Sequence, residues 1–179
     1  MKKIILVLAL VASLFALDNW DEAKVKYVLD GDTLMLQKGD KEPFKVRLIA
    51  IDTFETKVNE RASLQLQTLK DIHPNNPQHK DRYVHSFNKV MELGNKAKDY
   101  VQNKYLGKVV KYRSYGFDKY DRELVWIEVL NFSLVRNGLA LYYPNNQISP
   151  QEKAYLLDLS REANLEKRGI YNRLGNDFK

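Results

Sequence analysis

Between Lys24 and Ile51 apolar and polar residues alternate in short runs separated by turn signals. That alternation has the period of a half-buried strand, whose successive side chains point to opposite faces. In the first run Val25, Tyr27 and Leu29 share a face, with Lys24 and Lys26 opposite. Asp30-Gly31-Asp32 then reads as a turn, since Asp and Gly side chains suit tight backbone reversals. Leu34 and Leu36 alternate with Thr33, Met35 and Gln37, and Lys38-Gly39-Asp40-Lys41 reads as a hairpin turn. In the third run Phe44, Val46, Leu48 and Ala50 form one face, and Lys45, Arg47, Ile49 and Ile51 the other. The opening of the folded region is therefore a run of three strands.

Beyond Glu55 the pattern is mixed. Residues 57–91 are polar and carry all three histidines. A loop of that length is uncommon, so the segment is expected to contain a helix, with Leu64, Leu66 and Leu69 as its hint. Residues 93–106 read as a helix with Leu93, Ala97, Tyr100, Val101 and Tyr105 near one stripe, stopped by Gly107. Two strands are predicted, near Lys108–Ser114 and Glu123–Leu130. Asn131 is placed to cap a short helix holding Leu134, Val135 and Leu139, which Gly138 ends early. Ser149-Pro150-Gln151-Glu152 is a capping box with proline at the first helical position. The helix it opens carries Leu156, Leu159 and Ala163 on one face and ends near Gly169. This order predicts a mainly β protein with helices: a five-stranded Greek-key barrel of the OB type, packed by about three α-helices. On pattern alone a generic α+β sandwich fits almost as well.

Hydrophobic residues make up 44% of the 179 and charged residues 29%, a globular composition that excludes long disorder. There is no cysteine, which removes disulfides, thiolate zinc sites and cysteine nucleophiles. At the N-terminus Lys2 and Lys3 precede an apolar run from Ile4 to Ala12, extended by Leu14 to Leu17. A short apolar run behind two positive charges has the shape of a secretory signal. Residues 1–16 are therefore expected to be a signal peptide cleaved after Ala16, although Leu14 is larger than such a site prefers. If uncleaved, the segment would instead anchor the chain to a membrane, the one membrane contact expected. Residues 17–179 form the expected domain, with a polar insertion at about 57–91, exported to the periplasm or secreted. The formal net charge is +6, and a basic exported chain suits an anionic partner such as nucleic acid or a membrane surface.

Asp32 and Asp52 bracket one hairpin, each at the end of a predicted strand. If those strands are neighbours, folding brings the two carboxylates together, and oxygen ligands suit a hard cation such as Ca²⁺ or Mg²⁺. Taken alone, Asp30 and Asp32 are also ordinary turn residues. Glu55, three residues past Asp52, is placed to serve as a general base or as a solvated loop charge. Arg47 lies on the strand face of Ile49 and Ile51, so it must find an anionic partner or snorkel to water. The partner is either a structural carboxylate or a bound phosphate. Arg122 comes directly after the charged turn Asp118-Lys119-Tyr120-Asp121 and reads, by itself, as an exposed arginine. Together these residue types are what phosphodiester hydrolysis requires. Guanidinium forks and a dication offset the phosphate charge, and a carboxylate orients or deprotonates the attacking water.

Several stretches occur in order: Asp-Gly-Asp-Thr at 30–33, Val-Arg-Leu-Ile-Ala-Ile-Asp-Thr-Phe-Glu-Thr at 46–56, Asp-Lys-Tyr-Asp-Arg at 118–122, Leu-Val-Arg-Asn-Gly-Leu-Ala at 134–140, and Gly169-Ile170-Tyr171. In this the chain resembles the staphylococcal nuclease (thermonuclease) family from about Val25 to Asn172, interrupted by the 57–91 stretch. The resemblance implies an OB-fold barrel and Ca²⁺-dependent, nonspecific endonucleolytic cleavage of DNA and RNA. No stable protein partner is expected. By position, Asp32 and Asp52 would hold the metal through their carboxylates and Thr53 through its backbone carbonyl. Glu55 matches the family's proposed general base, and Arg47 and Arg122 its phosphate-clamping arginines. Lys119, Tyr120 and one of Tyr142 and Tyr143 lie where family members contact nucleotide phosphate and base.

There are three departures from the pattern. Phe54 stands where the family usually has proline, which implies a looser turn under Glu55. Asp121 replaces a glycine beside Arg122 and places a negative charge by the clamp, which would either weaken substrate affinity or give that arginine a resting partner. The 57–91 stretch is longer than in short family members. Its His73, His79 and His85 are spaced six and six apart, which matches no helical ligand pair, so the stretch is expected to be a solvated surface excursion rather than a metal site. Two other functions fit the chain: a catalytically inactive OB-fold nucleic-acid-binding module, and an envelope protein whose barrel binds acidic polymers or lipid surfaces. The filled positions Asp32, Arg47, Asp52, Glu55 and Arg122 favour the enzyme.

Overall fold

The computed structural model describes residues 20–74 and 84–172. The expected signal peptide, 1–16, lies outside the described residues, as does His79. Among the described residues there are seven strands: β1 (Asp21–Val28), β2 (Thr33–Gln37), β3 (Phe44–Leu48), β4 (Ile51–Thr53), β5 (Val109–Phe117), β6 (Glu123–Ile127) and β7 (Ala140–Tyr142). The helices are α1 (Glu60–Ile72), α2 (Phe87–Tyr105), α3 (Leu130–Arg136) and α4 (Pro150–Leu165), with a 3₁₀ turn after them at Gly169–Tyr171. Five strands close a barrel in the order β1-β2-β3-β6-β5. Only β3 and β6 run parallel within it. The expected five-stranded barrel is thus the architecture, and among the described residues four α-helices pack on it rather than about three. The fourth, α1, is the helix expected within the polar 57–91 stretch.

The barrel interior is filled by Val25, Leu34, Leu36, Val46, Leu48, Tyr112, Val125 and Ile127, all essentially without solvent exposure. Burying each such aliphatic side chain contributes roughly 1.5–3 kcal/mol. The strand alternation placed most of these residues, but β1 departs from it. A bulge between Val25 and Tyr27 shifts the register against β2, because an extra residue on one strand flips the faces beyond it. Val25 and Val28 therefore point inward, while Tyr27 and Leu29 are exposed.

At the end of β3 the chain leaves the barrel. Ala50 adopts φ +62°, and Ile51–Thr53 continue as β4, which pairs with β7 rather than extending β3. β6 also stops earlier than expected. Val129 takes φ +67° and α3 starts at Leu130, so Asn131 sits inside the helix instead of capping it. Its buried amide accepts from the Ile127 N–H (3.0 Å) and donates to the Ile49 carbonyl (2.9 Å). It thereby ties α3 to the ends of two barrel strands. The capping box of α4 forms as expected, with Ser149 Oγ accepting from the Glu152 N–H (3.1 Å) and Glu152 Oε2 from the Ser149 N–H (2.8 Å).

A second, smaller core forms where α1 and α2 meet, around Phe54, Ala62, Leu69, Val90, Leu93 and Ile170. Phe54 is buried there, so the residue in place of proline anchors the turn instead of loosening it. His73 is buried as well, contrary to the solvated excursion expected. Its Nε2 donates to the Ile170 carbonyl (2.8 Å), and His85 Nε2 donates to the His73 carbonyl (2.7 Å). These histidines stitch the insertion to the C-terminal turn, because a buried ring nitrogen has to find a partner. No helix among the described residues is long and apolar enough to cross a membrane.

Candidate active site

Asp32 ends the turn before β2, and Arg47 lies on β3 opposite Thr33. This register puts the Arg47 guanidinium beside the Asp32 carboxylate. β4 brings Asp52 to the same point from outside the barrel. Arg47 Nη1 contacts Asp32 Oδ1, and Arg47 Nη2 donates to Asp52 Oδ1 (2.7 Å). One guanidinium therefore spans both carboxylates, which face a common centre. Asp32 is 1% exposed; its Oδ2 accepts from the Thr53 N–H (2.8 Å) and its Oδ1 from the Thr33 hydroxyl (3.2 Å). Burial pushes the Asp32 carboxyl up to about 7, against the pull of Arg47 and with the push of Asp30 and Asp52. Arg47 loses solvation too, yet its neighbouring carboxylates hold it protonated more firmly than usual.

Glu55 lies in the turn between β4 and α1. Its Oε2 accepts from Asn59 Nδ2 (2.8 Å) and its Oε1 lies 3.6 Å from Arg61 Nε. The backbone beneath it is fixed from two sides. Gln65 of α1, itself buried, donates through Nε2 to the Thr53 carbonyl (2.8 Å) and to Asp52 Oδ2 (3.2 Å), while its Oε1 accepts from the Glu55 N–H (2.7 Å). From the other side α2 approaches with a glycine. A Cβ at Gly94 would lie 2.4 Å from the Glu55 carbonyl oxygen. Ala97, on the same helix, packs against Gly31, where a Cβ would lie 2.6 Å from the Ala97 Cβ. Small residues on α2 thus let one helix support both acidic turns.

Arg122 reaches the site from the turn before β6. Its Nε and Nη2 donate to Asp118 Oδ2 at 2.7 and 2.6 Å, and the guanidinium lies over the Tyr120 ring. The resting partner of Arg122 is therefore Asp118, not Asp121. Asp121 instead takes φ +58°, the left-handed conformation that favours glycine and that Asp tolerates better than most residues.

These groups surround one cavity of about 640 Å³ whose lining includes Arg47, Glu55, Arg61, Tyr120, Arg122 and Tyr143. Asp32 and Asp52 stand directly behind Arg47. Of the tyrosine pair, Tyr143 lines the cavity, whereas Tyr142 packs against the main core. Lys119 is exposed on the turn, its ammonium 4.9 Å from the Tyr120 ring centroid. Among the described residues there is no grouping of three or more His, Cys, Asp or Glu side chains able to hold a metal. What the site offers is two carboxylates and the Thr53 carbonyl, an all-oxygen set that fits a hard divalent cation. Asn59, Arg61 and Gln65 also reach the site, though the sequence pattern alone does not single them out. Their signal was an Asn helix cap with Arg61 and Gln65 one turn apart on one face beyond it, which only gains meaning once α1 is docked.

Comparison with curated proteins gave no match. The family described as staphylococcal nuclease homologue matches residues 45–173. That span begins after Asp32 but takes in Arg47, Asp52, Glu55 and Arg122, and it covers most of the chain, which therefore belongs to the staphylococcal nuclease homologue family.

Proposed function

We propose that the protein is an exported, Ca²⁺-dependent nonspecific endonuclease that hydrolyses phosphodiester bonds of DNA and RNA. The observation that carries this reading is the meeting of Arg47, Glu55 and Arg122 on one cavity wall, with Asp32 and Asp52 behind them. Asp32, Asp52 and the Thr53 carbonyl would hold the cation. When bound, it would offset phosphate charge and lower the pKa of water. Arg47 and Arg122 exchange their resting carboxylates for phosphate oxygens. Their forks then stabilise the charge that grows on those oxygens in the five-coordinate transition state. Glu55 accepts a proton from the attacking water or holds it in line. Tyr120 and Tyr143 present ring faces on which any base can stack, and Lys119 supplies a phosphate contact, which suits a nuclease without sequence preference.

The purified chain should digest single-stranded DNA and RNA with Ca²⁺ and stop when the ion is chelated. Glu55→Gln should slow turnover by ~10²–10⁴, the range for a lost general base. Undiminished digestion in excess chelator would remove the cation from the reading, and an unaffected Glu55→Gln rate would remove Glu55. Filter binding without any digestion would point to a nucleic-acid-binding module. Export is supported by Lys2, Lys3 and the apolar run after them. A mature N-terminus beginning at Leu17 in the extracytoplasmic fraction is the expected outcome.

A further inference from the structure

The inserted helix brings a third guanidinium to the cavity. Arg61, in the first turn of α1, contacts Asp52 Oδ1, the same oxygen that accepts from Arg47 Nη2 at 2.7 Å, and its Nε lies 3.6 Å from Glu55. Two features mark this as more than a structural ion pair. First, α1 does not need Arg61 to dock, because Ala62 and Leu69 are fully buried and Gln65 is held by three hydrogen bonds. The Arg61 side chain is 43% exposed and forms part of the cavity wall beside Arg47 and Arg122. Second, its resting partners are the groups that the nuclease reading puts to other uses. A cation held by Asp52 would compete with both guanidiniums for one oxygen, and Glu55 would have to be open to water. Arg61 would then turn towards the cavity, where an anion is the partner that restores its hydrogen bonds.

We infer that Arg61 is a third phosphate-binding arginine, added to the cavity by helix α1 and latched at rest on Asp52 and Glu55 until a nucleic-acid phosphate takes it over. The inference rests on the nuclease reading of the same site. Its distinctive consequence is electrostatic. Each phosphate neutralised by the protein releases counterions, and for single strands this contributes about 0.7 to the slope of log affinity against log salt.

The test uses the full chain with Glu55→Gln to suppress cleavage, Ca²⁺ present, and a single-stranded deoxyoligonucleotide titrated at several salt concentrations. Adding Arg61→Ala should weaken binding about tenfold, whatever the base sequence, and lower the salt slope by about 0.7. Arg61→Lys keeps the charge but not the fork, so it should restore the slope while recovering only part of the affinity. An unchanged slope in Arg61→Ala would overturn the assignment. So would a lowered slope that Arg61→Lys fails to restore, since that would report damage to α1 rather than a lost phosphate contact. If the Glu55→Gln chain itself bound no oligonucleotide, the nuclease reading would fall, and this inference with it. Binding by that chain with no effect of Arg61→Ala overturns the role of Arg61 alone.

Discussion

Arg47 and Arg122 face the same cavity from two different kinds of backbone. Arg47 grows from a barrel strand and lies between two carboxylates, one of them fully buried. Arg122 sits at the end of a surface turn and is paired with Asp118, four residues earlier in the same turn. If Arg47 is removed, the buried Asp32 carboxyl loses its guanidinium with Asp30 and Asp52 nearby, while Asp52 keeps its contact with Arg61. If Arg122 is removed, Asp118 still accepts from the Tyr120 and Arg122 N–H groups at 2.8 and 3.0 Å. On the proposed function, the first arginine serves the fold as well as the chemistry, and the second serves almost only the chemistry.

The largest expected effect sharpens that contrast. Arg47→Ala should destabilise the protein by up to about 3–5 kcal/mol, the cost of stripping one partner from a buried ion pair, with the full cost reached only above about pH 7, where Asp32 ionises. Arg122→Ala should cost at most about 1 kcal/mol, as for a partly exposed pair. Under the proposed function, both variants should also lose digestion of nucleic acid. Urea unfolding midpoints read the stability gap directly, and equal midpoints would break the comparison.

Legibility in the sequence divides along the same line. Asp32 and Arg47 could be brought together because β2 and β3 form one hairpin, whereas Asp52 lies past the break at Ala50, on β4, where the alternation of β3 no longer applies. The faces of Tyr27 and Leu29 were misread because one bulged residue inverts a period-2 pattern without any mark in composition. Asn131 resembled a helix cap because a cap and a buried amide use the same side chain; only the neighbouring Ile127 and Ile49 backbone decides between them. Arg61 and Gln65 were hidden for a further reason. They lie in a polar insertion, and a polar face has meaning only against the partner it docks on. Tyr143 could not be separated from Tyr142, since the choice depends on how β7 pairs with β4.

The second prediction concerns pH, where the two arginines again part. The Asp32 carboxyl, pushed up to about 7 by burial, keeps in the folded state a proton that the unfolded chain releases near 4. The folded state therefore binds more protons between those values, so stability should fall as pH rises from about 4 to about 7 and then level off. In chelator, Asp32→Asn should remove this slope, while Asp118→Asn should leave it in place. If Asp32 holds Ca²⁺ as proposed, the ion needs the deprotonated carboxylate, so its stabilising effect should grow with pH over the same window. A wild-type chain in chelator whose unfolding midpoint rises steadily from pH 5 to pH 7 would contradict the burial argument for Asp32.

The smallest expected effect lies on the Arg122 side. Asp121 holds φ +58°, a conformation that costs an L-residue roughly 1–2 kcal/mol and glycine almost nothing. Asp recovers part of that cost, and glycine gives some back through the greater freedom of the unfolded chain. Asp121→Gly should therefore stabilise the protein by only about 0.5 kcal/mol, and it also removes a carboxylate from the residue next to the Arg122 clamp. Because Arg122 rests on Asp118 and not on Asp121, the gain in substrate affinity should be small, and what there is should fade with added salt as exposed charges are screened. A large, salt-independent gain would mean that Asp121 competes directly for Arg122. The turn would then be an inhibitory partner of the clamp rather than a strained support for it, and the ease with which Arg122 changes partners would have to be reassigned.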